Sequence, residues 1–410
     1  MPDQEHDCIV VGGGPGGMLT AYLLARAGID VVLLESHRDF NREFRGDSLH
    51  PWTLELMDQL GLGDELLRLP HFPATRFRMH TPVGTIITSD YAKLASPRPF
   101  VALMPQARFL DFLAEKASVL PSFTLITGAR VRDLIIDDDG VVTGVSWREG
   151  AQTRTLRARL VIAADGRFSK VRTLSGLPVT ELGASTDMLW FRLPRHPDDP
   201  PEADVDLYFG ATEYVGLLGG ESDWQLGISL PKGGYAAARD AGVEPIRAFL
   251  REHLSWLDDR IDLLTDFNQI TLLSVELKRL ECWFRPGLLL IGDAAHVISP
   301  VGGNGILMAL QDAVSVANHL TDALRSPEPI GLAPLLAVQE ERMPAIRRVQ
   351  ADQARIERRA ADAREQGRPL VPGQLLRVVT ALPGARTRSA RRNAYGPNPP
   401  RLALVRSGKA

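Results

Sequence analysis

Three glycines and one acidic residue near the N-terminus have the spacing of a nucleotide-binding site. Gly12, Gly14 and Gly17 form the pattern G-x-G-x-x-G, and Glu35 follows eighteen residues after Gly17. The first glycine permits a tight turn, the second lets the backbone approach a pyrophosphate, and the third lets a helix pack closely on a strand. A carboxylate at Glu35 can accept hydrogen bonds from a ribose diol. The spacing therefore predicts a dinucleotide site.

The flanking residues supply the elements that would position this site. Residues 8–11 form a short apolar strand, a helix is expected from about Met18 to Ala27, and a second strand ends at Glu35. The helix N-terminus, next to Gly16, offers free N–H groups and a positive dipole end to phosphates. An acid at Glu35 disfavours a 2′-phosphate, so the tightly bound nucleotide is FAD or NAD rather than NADP. Glycines in a turn without a ligand are the structural alternative.

We expect the same stretch to be neither a signal peptide nor a membrane span. The first seven residues contain three acids and no Lys or Arg, whereas a secretory signal begins with basic residues. Eighteen uncharged residues separate Asp7 from Arg26, but five of them are glycines and one is Pro15. Such a segment is a poor spanning helix.

Composition indicates a globular protein of two or three domains. The chain has 410 residues, of which 44% are hydrophobic and 24% charged. Its two cysteines, Cys8 and Cys282, provide neither a disulfide framework nor a C-x-x-C metal pair. We therefore expect a cytoplasmic protein with reduced thiols, no membrane span and no metal site.

The C-terminal part is strongly basic although the whole chain carries a net charge of −3. From Arg342 onward there are 16 Lys and Arg against 4 Asp and Glu. A basic tail could contact nucleic acid. It lacks the interleaved aromatic residues and the fold motifs of nucleic-acid binders, so we expect no nucleic-acid partner but a helical, partly disordered segment lying against the acidic body.

The remaining pattern divides the chain into successive blocks. Residues 130–166 are typical of a β-meander, and residues 178–275 of a separate sheet with one helix at 245–254. A buried strand, a loop and a long helix follow from Leu288. A final helix over 334–366 is expected to break near Pro344.

Two further motifs lie at the ends of predicted strands. "DGRFSKVR" contains Asp165, Gly166, Ser169 and Arg172, and "GDAAHVISPVGGNG" contains Gly292, Asp293, His296, Pro300, Gly303 and Gly305. Together with the N-terminal glycines they resemble, in order and spacing, the motifs of the group A flavoprotein monooxygenases, the para-hydroxybenzoate hydroxylase-like enzymes. The resemblance covers the chain to about residue 330.

This resemblance implies an α/β fold in which a Rossmann-like FAD-binding domain of the GR2, or para-hydroxybenzoate hydroxylase, type carries an inserted mixed β-sheet and C-terminal helices. The FAD-binding domain would comprise residues 1–70, 100–177 and 276–330. The substrate-binding sheet domain would comprise 71–99 and 178–275, and residues 331–410 would form the C-terminal helices and basic tail.

The resemblance also implies roles for individual residues. Asp293 would contact the ribityl chain, and Asp165 and Gly166 the pyrophosphate and the route of the nicotinamide. Gly303 and Gly305 would open a helix whose dipole faces the flavin and favours its anionic reduced state. The remaining implied cofactor contacts are Arg45, Gln106, Val131, Pro300 and Ile306.

Several of these positions have structural alternatives. Asp165 could form only a turn, His296 could be a structural histidine, Arg45 could be exposed and Gln106 could cap a helix. Asn304 and Leu307 depart from the family, which usually has Gln and Asn there, so the hydrogen bonding near the flavin ring is open.

The implied reaction is hydroxylation of an aromatic, phenolic or polyketide-like molecule. NADPH or NADH would reduce tightly but non-covalently bound FAD, and O2 would then add at flavin C4a to give the hydroperoxide that transfers oxygen. No protein catalytic residue is assigned, since no catalytic triad or paired carboxylates stand out. The sequence lacks a second strand–glycine turn–helix unit, so the nicotinamide should bind transiently. The chain would act as a monomer or homodimer.

Substrate would lie between the inserted sheet and the flavin. Trp190, Arg192, Tyr208 and Trp224 are pocket candidates, with core packing as the alternative. A flavin-dependent halogenase would show W-x-W-x-I-P, which "DWQLGISLP" lacks. Two more functions stay open. The chain could be a reductase or dehydrogenase of a hydrophobic metabolite, or a non-catalytic protein that sequesters FAD or an aromatic metabolite.

Overall fold

The computed structural model describes residues 5–41, 47–149, 152–201, 204–300 and 302–403. The strands are, in chain order, β1 Glu5–Val11, β2 Val31–Glu35, β3 Ser48–Leu49, β4 Phe72–Ala74, β5 Arg76–Thr81, β6 Gly84–Asp90, β7 Val101–Leu103, β8 Phe123–Thr127, β9 Arg130–Ile136, β10 Val142–Glu149, β11 Gln152–Ala163, β12 Val179–Glu181, β13 Thr186–Pro194, β14 Val205–Phe209, β15 Tyr214–Gly219, β16 Asp223–Pro231, β17 Thr271–Leu273, β18 Lys278–Leu280, β19 Phe284–Arg285, β20 Leu288–Leu290 and β21 His296–Val297. The α-helices are α1 Pro15–Arg26, α2 Pro51–Gln59, α3 Gly63–Leu66, α4 Gln106–Ser118, α5 Lys170–Ser175, α6 Tyr235–Ala241, α7 Glu244–His253, α8 Asp258–Ile261, α9 Gly305–Arg325, α10 Leu332–Glu365, α11 Gly373–Ala381 and α12 Ala385–Tyr395. Short 3₁₀ turns occur at Tyr91–Lys93, Ser255–Leu257, Phe267–Gln269 and Gly292–Ala294.

A parallel sheet built around β1 organises the first layer. Its strand order is β19-β20-β11-β1-β2-β8, and the steps from β20 to β8 are all parallel. Residues 8–11 are buried without alternation, as expected for a strand covered on both faces. α1 packs against α4 and α9, and the core includes Ile9, Leu24 and Leu310. The predicted strand–helix–strand unit is present, although α1 begins at Pro15 instead of Met18.

Four of the parallel strands end at one edge of this sheet. β1 ends at Val11, β2 at Glu35, β11 at Ala163 and β20 at Leu290. Open α/β sheets bind ligands beyond the carboxyl ends of their strands. The three sequence motifs follow β1, β11 and β20, so the fold brings them to the same edge.

A second, largely antiparallel sheet lies in the order β17-β13-β16-β15-β14-β5-β6. β14 and β5 form its one parallel pair among the described strands. β13 and β16 match the predicted strand segments, and α7 covers the predicted helix at 245–254. Alternate residues such as Leu189, Phe191 and Leu193 are buried in a core against α7 and α8. On the opposite face, Arg192 and Gln225 reach Asp47.

The long helix α10 corrects one sequence expectation. It runs from Leu332 to Glu365 through Pro344, so the predicted break near Pro344 is wrong. Pro344 and Glu340, one turn earlier, lie on the exposed face, where water can solvate the carbonyl that proline leaves without a donor. Met343 and Ile346 are buried beside it and hold both halves of the helix to the core.

The basic C-terminal segment is helical in its described part. α12 packs on β6 through fully buried Ala390 and Ala394, and the Tyr395 hydroxyl donates to Glu55 at 2.6 Å. The described helices include none that is long and apolar enough to cross a bilayer.

Candidate active site

The glycine turn after β1 combines two crowded positions with one open position. Gly12 has a φ of +103°, and a Cβ there would stand 2.5 Å from the Ala164 carbonyl oxygen. A Cβ on Gly17 would stand 1.9 Å from the carbonyl oxygen of Gly12. Around Gly14, no described atom lies within 4 Å of the same position. The turn is therefore fixed at its ends and open in the middle, where a phosphate can approach the backbone.

The N-terminus of α1 faces the same open space. Gly14 is its N-cap and Pro15 its first residue, and among the described residues no side chain caps it. Gly16 packs against α9, since a Cβ there would stand 3.2 Å from Ala309 of that helix. The uncapped N–H groups of the first turn can bind an anion.

Glu35 is buried and holds the glycine turn in place. One carboxylate oxygen accepts from the Gly13 N–H at 2.8 Å, and the other accepts from the His37 N–H at 2.8 Å. The carboxylate therefore lies beside the phosphate turn, as a ribose-binding acid must. Its contact with Gly13 is a second role that the sequence did not reveal. Ribose binding by Glu35 stays a prediction.

Asp165 begins the turn into α5. Its carboxylate accepts from the Ser169 hydroxyl at 2.5 Å and from the Val171 N–H at 3.0 Å, and Ser169 in turn caps Arg172 N–H at 2.8 Å. Burial raises the pKa of the Asp165 carboxyl despite these donors. The structure therefore shows Asp165 forming a turn, the structural alternative given for it from the sequence. Gly166 follows with a φ of +82°, and contact of either residue with a cofactor stays a prediction.

Arg172 joins the second motif to the third. One guanidinium nitrogen donates to the carbonyls of Asp293 at 2.9 Å and Ala294 at 3.1 Å, and the other donates to the Arg167 carbonyl at 2.6 Å. The arginine is buried and fixes the backbone that carries Asp293. The sequence motif identified Arg172 as a candidate, but its spacing could not show that the side chain binds the backbone at Asp293, 121 positions away.

Asp293 lies half-buried in the short turn after β20. The neighbouring Gly292 N–H donates to Asp312 at 2.9 Å, and Asp312 also accepts from His296 at 2.6 Å and from Arg342 at 2.8 Å. Burial opposes ionisation of Asp312, but His296 and Arg342 hold the pKa of its carboxyl below the ordinary value. His296 is thus a buried partner of Asp312, which agrees with the structural role weighed from the sequence.

The loop before α9 contains two left-handed glycines and a partnerless side-chain oxygen. Gly302 and Gly303 have φ values of +89° and +65°. The Asn304 side-chain oxygen is buried and has no hydrogen-bond partner among the described residues, and a Cβ on Gly305 would meet no described atom within 4 Å. Pro300 is half-buried at the start of this loop. The loop thus offers open backbone and an unpaired acceptor.

His50 supports this loop and was missed by sequence reasoning. Its Nε2 lies 3.2 Å from the Gly303 carbonyl oxygen, so the ring donates from that nitrogen. Burial lowers the pKa of His50 to about 4, so the ring is neutral at pH 7. Its Nδ1 has no partner among the described atoms. A lone histidine at the start of α2 carried no motif that would have identified it.

Asp47 connects the start of α4 to the second sheet. Its carboxylate accepts from the Gln106 N–H at 3.1 Å and from the Gln225 side chain, and Arg192 lies 3.8 Å away. Burial raises the pKa of Asp47 to about 6. Gln106 opens α4 as expected, while Arg45 lies outside the described residues. Sequence reasoning missed Asp47, whose partner Gln225 lies 178 residues away.

Two other predicted positions, and one position that departs from the family pattern, lie in the core of the first sheet. Val131 of β9 and Ile306 of α9 are buried, with 6% and 8% of their surface exposed. Leu307, which departs from the family pattern, is fully buried. Cofactor contact by Val131 and Ile306 stays a prediction.

The four pocket candidates divide between the two faces of the second sheet. Trp190 and Arg192 lie on the face that meets Asp47, and the Trp190 ring lies over Gly227, where a Cβ would come within 3.0 Å of it. The Trp190 Nε1 is buried and has no partner among the described residues. Trp224 donates to Asp199 at 2.6 Å in the opposite core, and Tyr208 packs in that core and stacks on His80 at 4.0 Å. The structure therefore places Trp190 and Arg192 together on the face that meets Asp47, and it places Tyr208 and Trp224 in the core on the other face.

These features at the sheet edge fit the chemistry of FAD. The open backbone at Gly14 and the uncapped α1 suit a pyrophosphate, and the Glu35 carboxylate lies beside this turn. The open backbone at Gly305 and the unpaired Asn304 oxygen offer positions for the flavin end.

Comparison with known proteins agrees with this fit. The sequence profile of the FAD binding domain family matches residues 5–352. The chain belongs to this family. The chain is 36% identical over 330 residues to 6-methylpretetramide 4-monooxygenase of Streptomyces rimosus, covering 79% of this chain and 77% of the relative. It is 29% identical over 364 residues to protoasukamycin 4-monooxygenase of Streptomyces nodosus subsp. asukaensis, covering 84% and 86%.

The fold is also that of a solved flavoprotein. The structure of PqsL, a probable FAD-dependent monooxygenase from Pseudomonas aeruginosa, matches with a TM-score of 0.75 at 23% identity and covers 88% of this chain and 98% of PqsL. The predicted fold class, the FAD cofactor and the resemblance to group A flavoprotein monooxygenases are thus confirmed. This member of the FAD-binding family is an FAD-dependent monooxygenase.

Proposed function

We propose that the enzyme uses NADPH or NADH and O2 to hydroxylate an aromatic, phenolic or polyketide-like molecule. FAD, when bound, supplies the redox and oxygen chemistry, while the protein supplies binding, orientation and a dry site. The relatives named for 6-methylpretetramide and protoasukamycin support this class of substrate. The observation that carries the proposal is that Arg192 and Gln225 of the second sheet meet Asp47. The next residue, Ser48, lies against Gly303 of the loop before α9, which we call the cofactor loop.

We assign the cofactor contacts as the sequence predicted them. Glu35 would accept from the adenosine ribose, the α1 N-terminus and Gly14 would hold the pyrophosphate, and Asp293 would accept from the ribityl chain. Arg172 would keep Asp293 in register by binding its carbonyl. We also retain the proposed division into an FAD-binding domain and a sheet domain, because the two cores are separate clusters.

The substrate would lie on the face of β13 and β16 opposite their core. Met188, Trp190 and Gly227 form an apolar surface there, and Gln225 and Arg192 border it with polar groups. Indole Nε1 is a donor only, so the buried, unpaired Nε1 of Trp190 calls for an acceptor. An oxygen-bearing aromatic molecule provides both the acceptor and a ring that packs on the indole.

The nicotinamide would bind only transiently. The glycine turn supplies one dinucleotide site, so NADPH or NADH must reach the flavin from outside it. We expect substrate to accelerate this encounter, because the left-handed Gly302 and Gly303 leave the loop room to change beside the ring. Anaerobic stopped-flow reduction with and without substrate tests this gating. Equal rates would remove it and leave the FAD site unaffected.

The proposal is tested by screening phenolic and polyketide-like compounds for those that accelerate NAD(P)H oxidation by the purified holoenzyme. A positive compound should yield a product that carries one atom from ¹⁸O2. Trp190→Phe should then raise KM for that compound with little loss of stability. The matched change Trp224→Phe removes the bond to Asp199 and should lower stability without a specific effect on KM. Unlabelled product would favour a reductase or dehydrogenase.

A further inference from the structure

A cationic cavity lies away from the glycine turn, between α10 and the short strands β12 and β18. We call it the arginine cavity. Its volume is about 270 Å³, and its walls include four arginines: Arg279, Arg347, Arg355 and Arg358. Ala351 and Ala354 lie between the arginines of α10. The positions 347, 351, 354, 355 and 358 follow helical spacing and share one face of α10. The small alanines leave space between long guanidinium side chains.

Nearby acids neutralise only part of this charge. Glu281 pairs with Arg279 at 3.0 Å and with Arg347 at 2.7 Å, and Asp352 pairs with Arg355 at 3.3 Å. Arg358 has no ion-pair partner within the described part of the chain. Four guanidinium groups thus face two carboxylates. The excess positive charge and the forked N–H donors of arginine suit a phosphate group.

The cavity adjoins the loop assigned to the flavin. Gln350 lines it and donates from its side chain to the carbonyls of Lys278 and Val297, each at 3.0 Å. Gln353, almost one turn later, binds both the N–H and the carbonyl of Ser299 at 3.0 and 2.9 Å. These contacts hold the backbone that leads directly into Pro300 and the glycines before α9. The cavity is therefore one layer of side chains from the cofactor loop.

We propose that the arginine cavity binds the 2′-phosphate of NADPH during its transient encounter with the flavin. This inference rests on the proposed function and makes it specific for NADPH over NADH. The glycine turn cannot serve that phosphate, because Glu35 lies beside the turn and a carboxylate repels a second phosphate there. A phosphomonoester held at the cavity anchors one end of the dinucleotide beside the loop while the reactive ring remains mobile.

The first test is equilibrium binding, which needs no turnover. The FAD-loaded enzyme is titrated calorimetrically with adenosine 2′,5′-bisphosphate, with adenosine 5′-monophosphate and with inorganic phosphate. The bisphosphate should bind about tenfold or more tightly than the monophosphate, since charged hydrogen bonds to the 2′-phosphate are added. The double change Arg355→Ala and Arg358→Ala should weaken the bisphosphate about tenfold. Arg359→Ala, an exposed neighbour that does not line the cavity, should leave it unchanged.

The second test is anaerobic flavin reduction, with and without an accelerating compound. The double variant should need about tenfold more NADPH for half-maximal reduction at an unchanged limiting rate, and its response to NADH should stay as in the wild type. Equal bisphosphate binding by wild type and double variant would overturn the proposal, as would inorganic phosphate binding as tightly as the bisphosphate. A failure of NADPH and NADH alike to reduce the flavin would instead contradict the proposed function, and the calorimetry would still decide the cavity.

Discussion

Replacing Asp47 by asparagine should stabilise the protein at pH 8 more than at pH 5. Burial raises the pKa of Asp47 from its ordinary 3.8 to about 6. A folded-state pKa above the unfolded value means that Asp47 favours folding at low pH, and that this contribution is lost as the pH rises through about 6. The difference between the two pKa values corresponds to about 3 kcal/mol above pH 7. Asparagine does not titrate and avoids that loss.

The structure permits this substitution without loss of packing. The asparagine oxygen can still accept from the Gln106 N–H, and the Gln225 amide can rotate to accept from the asparagine nitrogen. The lost partner Arg192 is 3.8 Å away and 40% exposed, so the ion pair contributes little.

Urea unfolding of the FAD-saturated wild type and variant at pH 5 and pH 8 measures the effect. The advantage of the variant should grow by about 1 to 2 kcal/mol between these pH values. Arg192→Gln serves as the control, since it removes the ion pair and keeps the buried carboxyl. An advantage that does not change with pH, or an equal trend in the control, would refute burial as the cause.

Three further predictions concern the cofactor. Gly17→Ala should destabilise the fold by about 3 kcal/mol or more, because its Cβ would overlap the Gly12 carbonyl. Gly14→Ala should keep the melting temperature and weaken FAD binding at least about tenfold. Thermal melts and flavin fluorescence titration measure the two effects, and equal stability of the two variants would contradict the assignment of Gly17 as crowded and Gly14 as open. Glu35→Ala and Asp293→Ala should each weaken FAD binding by about 1 to 3 kcal/mol, with altered turnover at saturation only in the second, and wild-type affinity in both would exclude the assigned roles. Arg172→Lys should weaken FAD binding about tenfold, because lysine cannot bind the carbonyls of Asp293, Ala294 and Arg167 with one planar group; unchanged affinity would show that these contacts do not position the site.

Local spacing predicted the parts of the fold that depend on neighbouring residues. The G-x-G-x-x-G pattern identified the β1–α1–β2 unit because part of its steric demand is local: a Cβ on Gly17 would overlap the carbonyl of Gly12 in the same turn. β13 and β16 were found because long apolar runs favour strands. Pro344 was misjudged because tertiary contacts of its neighbours outweigh its local tendency to break a helix.

Contacts between distant residues were beyond such reasoning. Trp190 and Trp224 both lie on predicted strands, and only the pairing of β13 with β16 decides which ring meets the core. Their numbers have the same parity, yet in the antiparallel register Trp224 lies opposite Leu193 of the core face. Parity within one strand therefore assigns a face only after the register is known.

The site depends on two side chains that bind across the chain. Arg172 fixes the backbone of the third motif from the second, and Asp47 fixes α4 and the second sheet to the segment after the glycine unit. Both contacts join protein groups to protein groups, so they fix the backbone around the site by themselves. Preorganisation of this kind lowers the entropy cost of binding a large ligand such as FAD. It also places the carboxyl of Asp47, whose pKa burial raises, at the contact between α4 and the second sheet, so a change in its protonation acts on that contact.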